Sequence, residues 1–247
     1  MGRWNALTPL QEKFSKFGFD ALDDEESIRL FFSLCRCQPE RDRVIKRCVK
    51  HFGNLRKLLA ASTEELQQFV GCPADICTIK LLQELPTEIL KERIVHQPVS
   101  KSSREIFDYL YLSMRDLKKE VFKVIYLSSQ NQIIDIEVLF EGRIEYTSVH
   151  PREIIEATIK HNAVRLIFVH NHPSGDPAPS RLDELLTRDL VFIGKVTRIE
   201  VLDHIIIGEN RFFSFADAGL IRKYEDEFLN IRIKVLDNRV CLIKDTV

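Results

Sequence analysis

Two histidines separated by one residue close the apolar run Leu166-Ile-Phe-Val-His170-Asn-His172, and the Pro/Gly-punctuated turn that follows continues neither strand nor helix. In a β-strand, side chains at i and i+2 leave the same face, so His170 and His172 would stand side by side where the chain exits a sheet. Eight residues further on, Ser180-Arg-Leu-Asp183 reads as a helix opening, with Ser180 as N-cap and Asp183 in the first turn, where the helix dipole favours a carboxylate. A cap pins a helix start, so Asp183 is expected opposite the imidazole pair. Two imidazoles, one carboxylate and a fourth position open to water make up the ligand set of a catalytic rather than a structural zinc. Singly these features are ordinary, since a histidine near a strand end is usually a surface or hydrogen-bonded residue and Ser-x-x-Asp a common helix start. It is their conjunction that points to a metal.

The order His-x-His-Pro-Ser-Gly and then Ser-x-x-Asp resembles the JAMM signature of the JAB/MPN metalloprotease-like fold. With His150-Pro-Arg-Glu-Ile154 ahead of it and Leu202-Asp-His-Ile-Ile-Ile-Gly208 behind it, the region from Arg104 to Ile221 is similar to the RadC family, a bacterial branch of that group. An HNH nuclease is set aside, because that motif needs widely spaced histidines. The resemblance implies a mixed-sheet, cytidine-deaminase-like domain with one Zn2+ per chain on His170, His172 and Asp183. The implied reaction is hydrolysis of a peptide or isopeptide bond in a peptide or protein substrate. The resemblance also implies a proton-accepting Glu in the strand ahead of the Pro151 helix, five residues before a glycine, which Glu137 before Gly142 satisfies. Ser180 would have a second duty at an oxyanion. Read from its own strand, Glu137 shares a face with Asp135, Leu139 and Glu141, as a solvent-facing carboxylate would. Imidazole-carboxylate sites also accept iron, cobalt or manganese. The DNA-repair label of the family implies a different class of function, a DNA- or protein-binding module whose metal site is structural.

The elements that must position these residues follow from the rest of the chain. At 247 residues, 45% hydrophobic and 30% charged, there is material for a globular protein of one large or two ordinary domains. A formal net charge of -1 exerts no global pull on nucleic acid or acidic membrane, so any such contact must be local. No apolar run approaches the ~20 residues that cross a bilayer, and Met1-Gly-Arg-Trp-Asn-Ala-Leu lacks a hydrophobic signal core, so a cytoplasmic location is the expectation, in a bacterium as the family resemblance implies. Six cysteines without a repeated CxxC spacing read as reduced thiols, and Cys35-x-Cys37 has no matching pair nearby.

The expected fold class is α/β (α+β), a small helical bundle followed by a mixed sheet flanked by helices. Residues 1–97 are predicted helical, 98–104 a polar linker, 105–224 the metal-binding domain, and 225–247 an extension. In the first part, Ser62 and Glu65 predict a capping box, and Gly71-Cys72-Pro73 the turn of a helix-hairpin-helix-like unit. Pro73 removes one backbone N–H from that turn, which disfavours close approach to a phosphate. Arg41, Arg43, Lys46, Arg47 and Lys50, with Arg36, form a basic run for a DNA backbone, though such a run is most often a solvated helix face. Residues 120–127 and 132–140 are predicted as a hairpin around Ser128-Ser-Gln-Asn131. Pro151 opens a helix with Ile154, Ile155, Thr158 and Ile159 inward, and residues 198–207 and 211–215 are strands. Ile231-Arg-Ile-Lys-Val-Leu and Arg239-Val-Cys-Leu-Ile around Asp237-Asn238 predict a terminal hairpin, a surface for a sheet edge or for a second copy of the chain.

Overall fold

The computed structural model describes residues 7–34, 41–142 and 150–244, without the side chains of 101–103 and 234–244; Cys35, Arg36 and Cys37 lie outside the described residues. The chain divides into two compact units, 1–88 and 89–247. Among the described residues, no helix is long and apolar enough to cross a membrane.

The first unit is built from α1 (Pro9–Phe17), α2 (Asp24–Leu34), α3 (Arg41–Phe52), α4 (Leu55–Leu59), α5 (Thr63–Phe69) and most of α6 (Pro73–Ile94). Helices this short hold only by sharing apolar faces, and here they converge on Ile28, Phe32, Val44, Ile45, Cys48, Leu58, Leu66 and Ile79. Ser62 caps α5 by accepting from the Glu65 N–H at 3.2 Å, but the expected reciprocal bond is replaced: the Glu65 carboxylate meets His51 at 2.9 Å. Gly71 takes a positive φ of 80° and turns the chain into α6. Arg43, Lys46, Arg47 and Lys50 are exposed on the side of α3 opposite its buried Val44, Ile45 and Cys48.

The second unit begins inside α6, where Ile94 is fully buried against the sheet domain. It continues with α7 (Val99–Met114), the strands β1 (Val121–Leu127), β2 (Ile133–Glu141), β3 (Arg165–Asn171), β4 (Glu200–Ile207) and β5 (Phe212–Ser214), and the helices α8 (Pro151–Lys160), α9 (Arg181–Thr197) and α10 (Leu220–Lys244). The five strands form one mixed sheet in the order β2-β1-β3-β4-β5, in which only β3 and β4 run parallel. The expected hairpin joins β1 and β2: Ser128 and Gln132 pair through Ser128 N–H and Gln132 C=O at 2.9 Å, and Asn131 takes a positive φ of 59°.

Both faces of the sheet are covered. Tyr109, Leu110 and Met114 of α7 pack on Ile125, Ile136, Ile167, Val169 and Ile207, while Ile154, Leu186, Leu190, Ile221 and Tyr224 of α8, α9 and α10 pack on Phe122, Val124, Tyr126 and Phe168. Double coverage explains why β1 and β3 read as apolar runs rather than as alternation. On α8, Ile154 and Thr158 face inward as expected, but Ile159 is 67% exposed.

Two expectations are corrected. The predicted linker 98–104 is the opening of α7, whose Val99 N–H donates to Asn131 C=O at 2.9 Å, so the polar run lies on a docked helix. The predicted terminal hairpin is instead the helix α10, which starts after Gly219 and is anchored on α9 by Lys195–Glu225 at 2.6 Å, Arg188–Glu227 at 2.9 Å and the ring contact Phe192–Phe228. Once nucleated by that packing, the helix propagates at one hydrogen bond per residue through runs too short to choose a strand by themselves.

Candidate metal centre

β3 delivers His170 and His172 to one face at its exit, and the residue between them anchors that exit. Asn171, 1% exposed, accepts the Val121 N–H on Oδ1 at 2.8 Å and donates Nδ2–H to Lys119 C=O at 3.1 Å. Beyond His172 the chain reverses at Gly175 (φ 83°), and Gly208 lies so close that a Cβ there would fall 2.5 Å from the Gly175 carbonyl. The loop ends at the N-terminus of α9. There the capping box is complete: Asp183 N–H donates to Ser180 Oγ at 3.2 Å, and Ser180 N–H donates to Asp183 Oδ2 at 2.7 Å. The local signal read from Ser-x-x-Asp thus fixes the carboxylate itself.

Three donor groups converge. His170 Nε2 lies 3.0 Å from His172 Nε2 and 3.3 Å from Asp183 Oδ1, and His172 Nε2 lies 3.4 Å from Asp183 Oδ2. Tetrahedral donors about 2.0–2.1 Å from a zinc ion lie about 3.3 Å from one another, so the triangle has the size that such an ion requires.

The hydrogen bonds behind the imidazoles set their proton positions. His172 Nδ1 is 2.8 Å from the Asp176 carbonyl, which can only accept, so Nδ1 carries the proton and Nε2 presents a lone pair. His170 Nδ1 is 2.8 Å from His204 Nε2, His204 Nδ1 is 2.6 Å from Thr187 Oγ1, and Thr187 Oγ1 donates to the Asp183 carbonyl at 2.5 Å. The direction of this chain is dictated from its end. Because the carbonyl takes the Thr187 proton, Oγ1 accepts from His204 Nδ1–H, His204 Nε2 accepts from His170 Nδ1–H, and His170 Nε2 is left as a lone pair. His170, His204 and Thr187 are all buried. Two lone pairs 3.0 Å apart, facing a carboxylate, repel one another unless a cation or a shared proton lies between them, and this is the observation that fits a metal.

Charge balance agrees. Burial pushes the His170 imidazole down, more than its bond to Asp183 lifts it. Burial acts on His172 as well, but bonds to Asp183 and to the Asp176 carbonyl outweigh it and raise that imidazole. Burial alone would raise the Asp183 carboxyl, yet the two imidazoles and Ser180 hold it far below the usual carboxylate range. His204, driven down by burial and by its His170 neighbour, stays neutral, as the proton chain requires.

Thr187→Val removes one hydroxyl, leaves the shape of the site and strands the His204 Nδ1 proton. Zinc affinity, read by competition with a chromophoric chelator, is expected to fall about 10–100-fold, the usual cost of losing a partner behind a metal-binding histidine; unchanged affinity would refute the proton chain.

Glu137, expected as the base, is not brought to the histidines. In the β1–β2 ladder it pairs with Val124, whose partner on β3 is Phe168, whereas His170 pairs with Phe122. It therefore lies two strands from the histidine strand and two residues down it, and its Oε1 is 3.0 Å from His161 and 3.5 Å from Lys160. The carboxylate that does accompany the histidines is Glu120, which sequence reading missed. Continuing the antiparallel register from Phe122–His170 places Glu120 opposite His172, and its charge raises both imidazoles. The two backbone groups bound by Asn171 flank Glu120 on either side, so the anchor of the histidine strand also fixes this residue. The one signal available was its place at the start of a strand long enough to pair with the histidine run.

Comparison with known proteins supports the family resemblance. The family described as the RadC-like JAB domain matches residues 100–220. A UPF0758 protein of Pseudoalteromonas translucida is 38% identical over 213 residues, covering 85% of this chain and 95% of the relative. Another from Nitrosomonas eutropha is 35% identical over 219 residues, 88% of this chain and 98% of the relative, and a third from Methanosarcina mazei is 35% identical over 217 residues, 86% and 93%.

Proposed function

The chain belongs to the RadC family, and on that premise we propose that it is a divalent-metal hydrolase of the JAMM type acting on a peptide or isopeptide bond. The observation that carries this reading is the triangle of His170 Nε2, His172 Nε2 and Asp183 with edges of 3.0–3.4 Å. His170, His172 and Asp183 would hold the ion, zinc by the mixture of imidazole and carboxylate. Such an ion, when bound, brings the acidity of water close to neutrality and polarises a carbonyl.

The remaining chemistry belongs to side chains. Glu120, opposite His172, takes the proton from the attacking water and returns it to the leaving amine, the role first assigned to Glu137. Ser180 Oγ, exposed at the α9 N-terminus, serves the developing oxyanion together with the positive end of the helix dipole. The Asp176 carbonyl, behind His172, and His204, behind His170, keep the two imidazoles in the tautomer that leaves Nε2 free. The test is cleavage of a peptide and isopeptide library by the zinc-loaded full chain: cleavage abolished by a chelator and restored by zinc is the expected result, and cleavage indifferent to the chelator overturns the reading.

A second reading, contact with DNA through α3, is favoured by the exposure of Arg43, Lys46, Arg47 and Lys50 on one helix side. Affinity for duplex DNA should then fall steeply with salt, and the salt slope should flatten by about 0.9 for each lost phosphate contact when these residues, with Arg41, are neutralised. A slope unchanged by neutralisation would exclude that surface.

A further inference from the structure

At the edge of the same sheet, well apart from the histidine pair, a second group of ligating atoms gathers. Asp135 and Glu137 point from one face of β2, and His161 caps the end of α8 above them. Their ligand atoms all lie within 4.8 Å of one another. Each carboxylate uses one oxygen for its neighbours: Asp135 Oδ1 takes Lys91 at 3.2 Å and the Ile136 N–H at 2.7 Å, and Glu137 Oε1 takes Lys160 at 3.5 Å and His161 at 3.0 Å.

Two buried polar atoms beside these carboxylates have no hydrogen-bond partner of good geometry among the described residues. His161 Nε2 is at ion-pair distance from Glu137 but out of line for a hydrogen bond. Tyr126 is fully buried, pairs with Asp135 across the ladder and stacks on the His161 ring at 4.3 Å, and its hydroxyl is the second such atom. Burial, then the charges of Glu137 and Asp135, then the interaction of the hydroxyl with the Glu137 side chain, push that phenol up. Buried polar atoms are nearly always paired, and two atoms without a well-formed bond beside two carboxylates fit a bound species. It must accept from oxygen and nitrogen lone pairs at once, as a cation does.

We propose that Asp135, Glu137 and His161 form a second divalent-cation site, with the Tyr126 hydroxyl beside it. The mixed imidazole-carboxylate set selects a first-row ion such as zinc, cobalt or manganese over calcium or magnesium. Lys160, 72% exposed, swings aside at little cost. The ion ties the edge strand β2 to α8, the helix that leads into the histidine strand, so it acts as a clamp behind the first centre.

The test is equilibrium dialysis of zinc against the metal-stripped full chain and its variants, each checked for native circular dichroism. The wild type is expected to bind two equivalents, and Asp183→Asn, His161→Gln and Glu137→Gln one each, two independent variants guarding against local misfolding at either residue. A wild type that binds one equivalent, lost in Asp183→Asn and kept in His161→Gln, overturns this proposal and leaves the hydrolase reading standing. One equivalent kept in Asp183→Asn and lost in His161→Gln supports the clamp and overturns the hydrolase.

Discussion

Replacing Asp183 with Asn is expected to lower the zinc affinity of the histidine centre by more than about 100-fold, beyond the 10–100-fold range typical of partners behind a ligand. The residue closes the donor triangle and is also the anion that sustains its charge balance: its carboxylate is 3.3 Å from one imidazole nitrogen and 3.4 Å from the other. The Asn side chain preserves the size and much of the cap, so the helix start should survive. The two losses can be separated by proton titration in the metal-free protein. In the wild type the His172 imidazole is raised, so protons compete with metal from above the ordinary imidazole value of about 6.5, and zinc is released as pH falls through that range. Asn at 183 removes an attraction that favours the charged imidazole, so the His172 titration seen by NMR should move down while zinc is lost. Stability without metal carries the opposite sign for the acid: Asp183, held below its unfolded value, contributes above the ordinary carboxylate range near pH ~4, and that contribution fades on acidification. An unchanged zinc affinity in the Asn variant would remove Asp183 from the ligand set.

Glu120→Gln separates chemistry from binding. Glutamine keeps the size of the side chain but cannot take a proton, so cleavage of whatever library member the wild type accepts should drop by about 10²–10⁴-fold, the usual contribution of a positioned general base. The zinc equivalent held by the histidines should remain, because Glu120 is not one of the three ligands and acts on His170 and His172 through its charge. Loss of that field should also move both imidazoles slightly down, a signature that a merely structural carboxylate elsewhere would not give. If Glu137→Gln instead of Glu120→Gln abolishes cleavage with zinc retained, the base is the residue the family resemblance named, and the strand register is not the guide to it.

The contrast between those two glutamates shows where sequence reading succeeds. His170, His172 and Asp183 are legible because each depends on local geometry, an i, i+2 alternation and a cap three residues ahead of its partner. Glu120 depends on the pairing of β1 with β3, 50 residues away in the chain. His204 lies inside an apolar strand, and its contact with His170 exists only because β3 and β4 pair in parallel across the α9 crossover. The α/β class and the β1–β2 hairpin were legible in the periodicities. The hairpin expected near the C-terminus was not, since Ile231 and its neighbours form a run too short to distinguish strand from helix, and packing of Tyr224 and Phe228 on α9 decided it. The group around His161 is not legible at all, because nothing in one sequence says that Asp135, Glu137 and Tyr126 fold beneath it.

Anomalous diffraction at the zinc edge from crystals of the loaded chain tests the centre most directly. A peak within bonding distance of His170 Nε2, His172 Nε2 and an Asp183 carboxylate oxygen, with Nδ1 of His170 still bound to His204, is the expected result. A map with no peak among these three groups at saturating zinc, or with the carboxylate turned away from the ion, would contradict it.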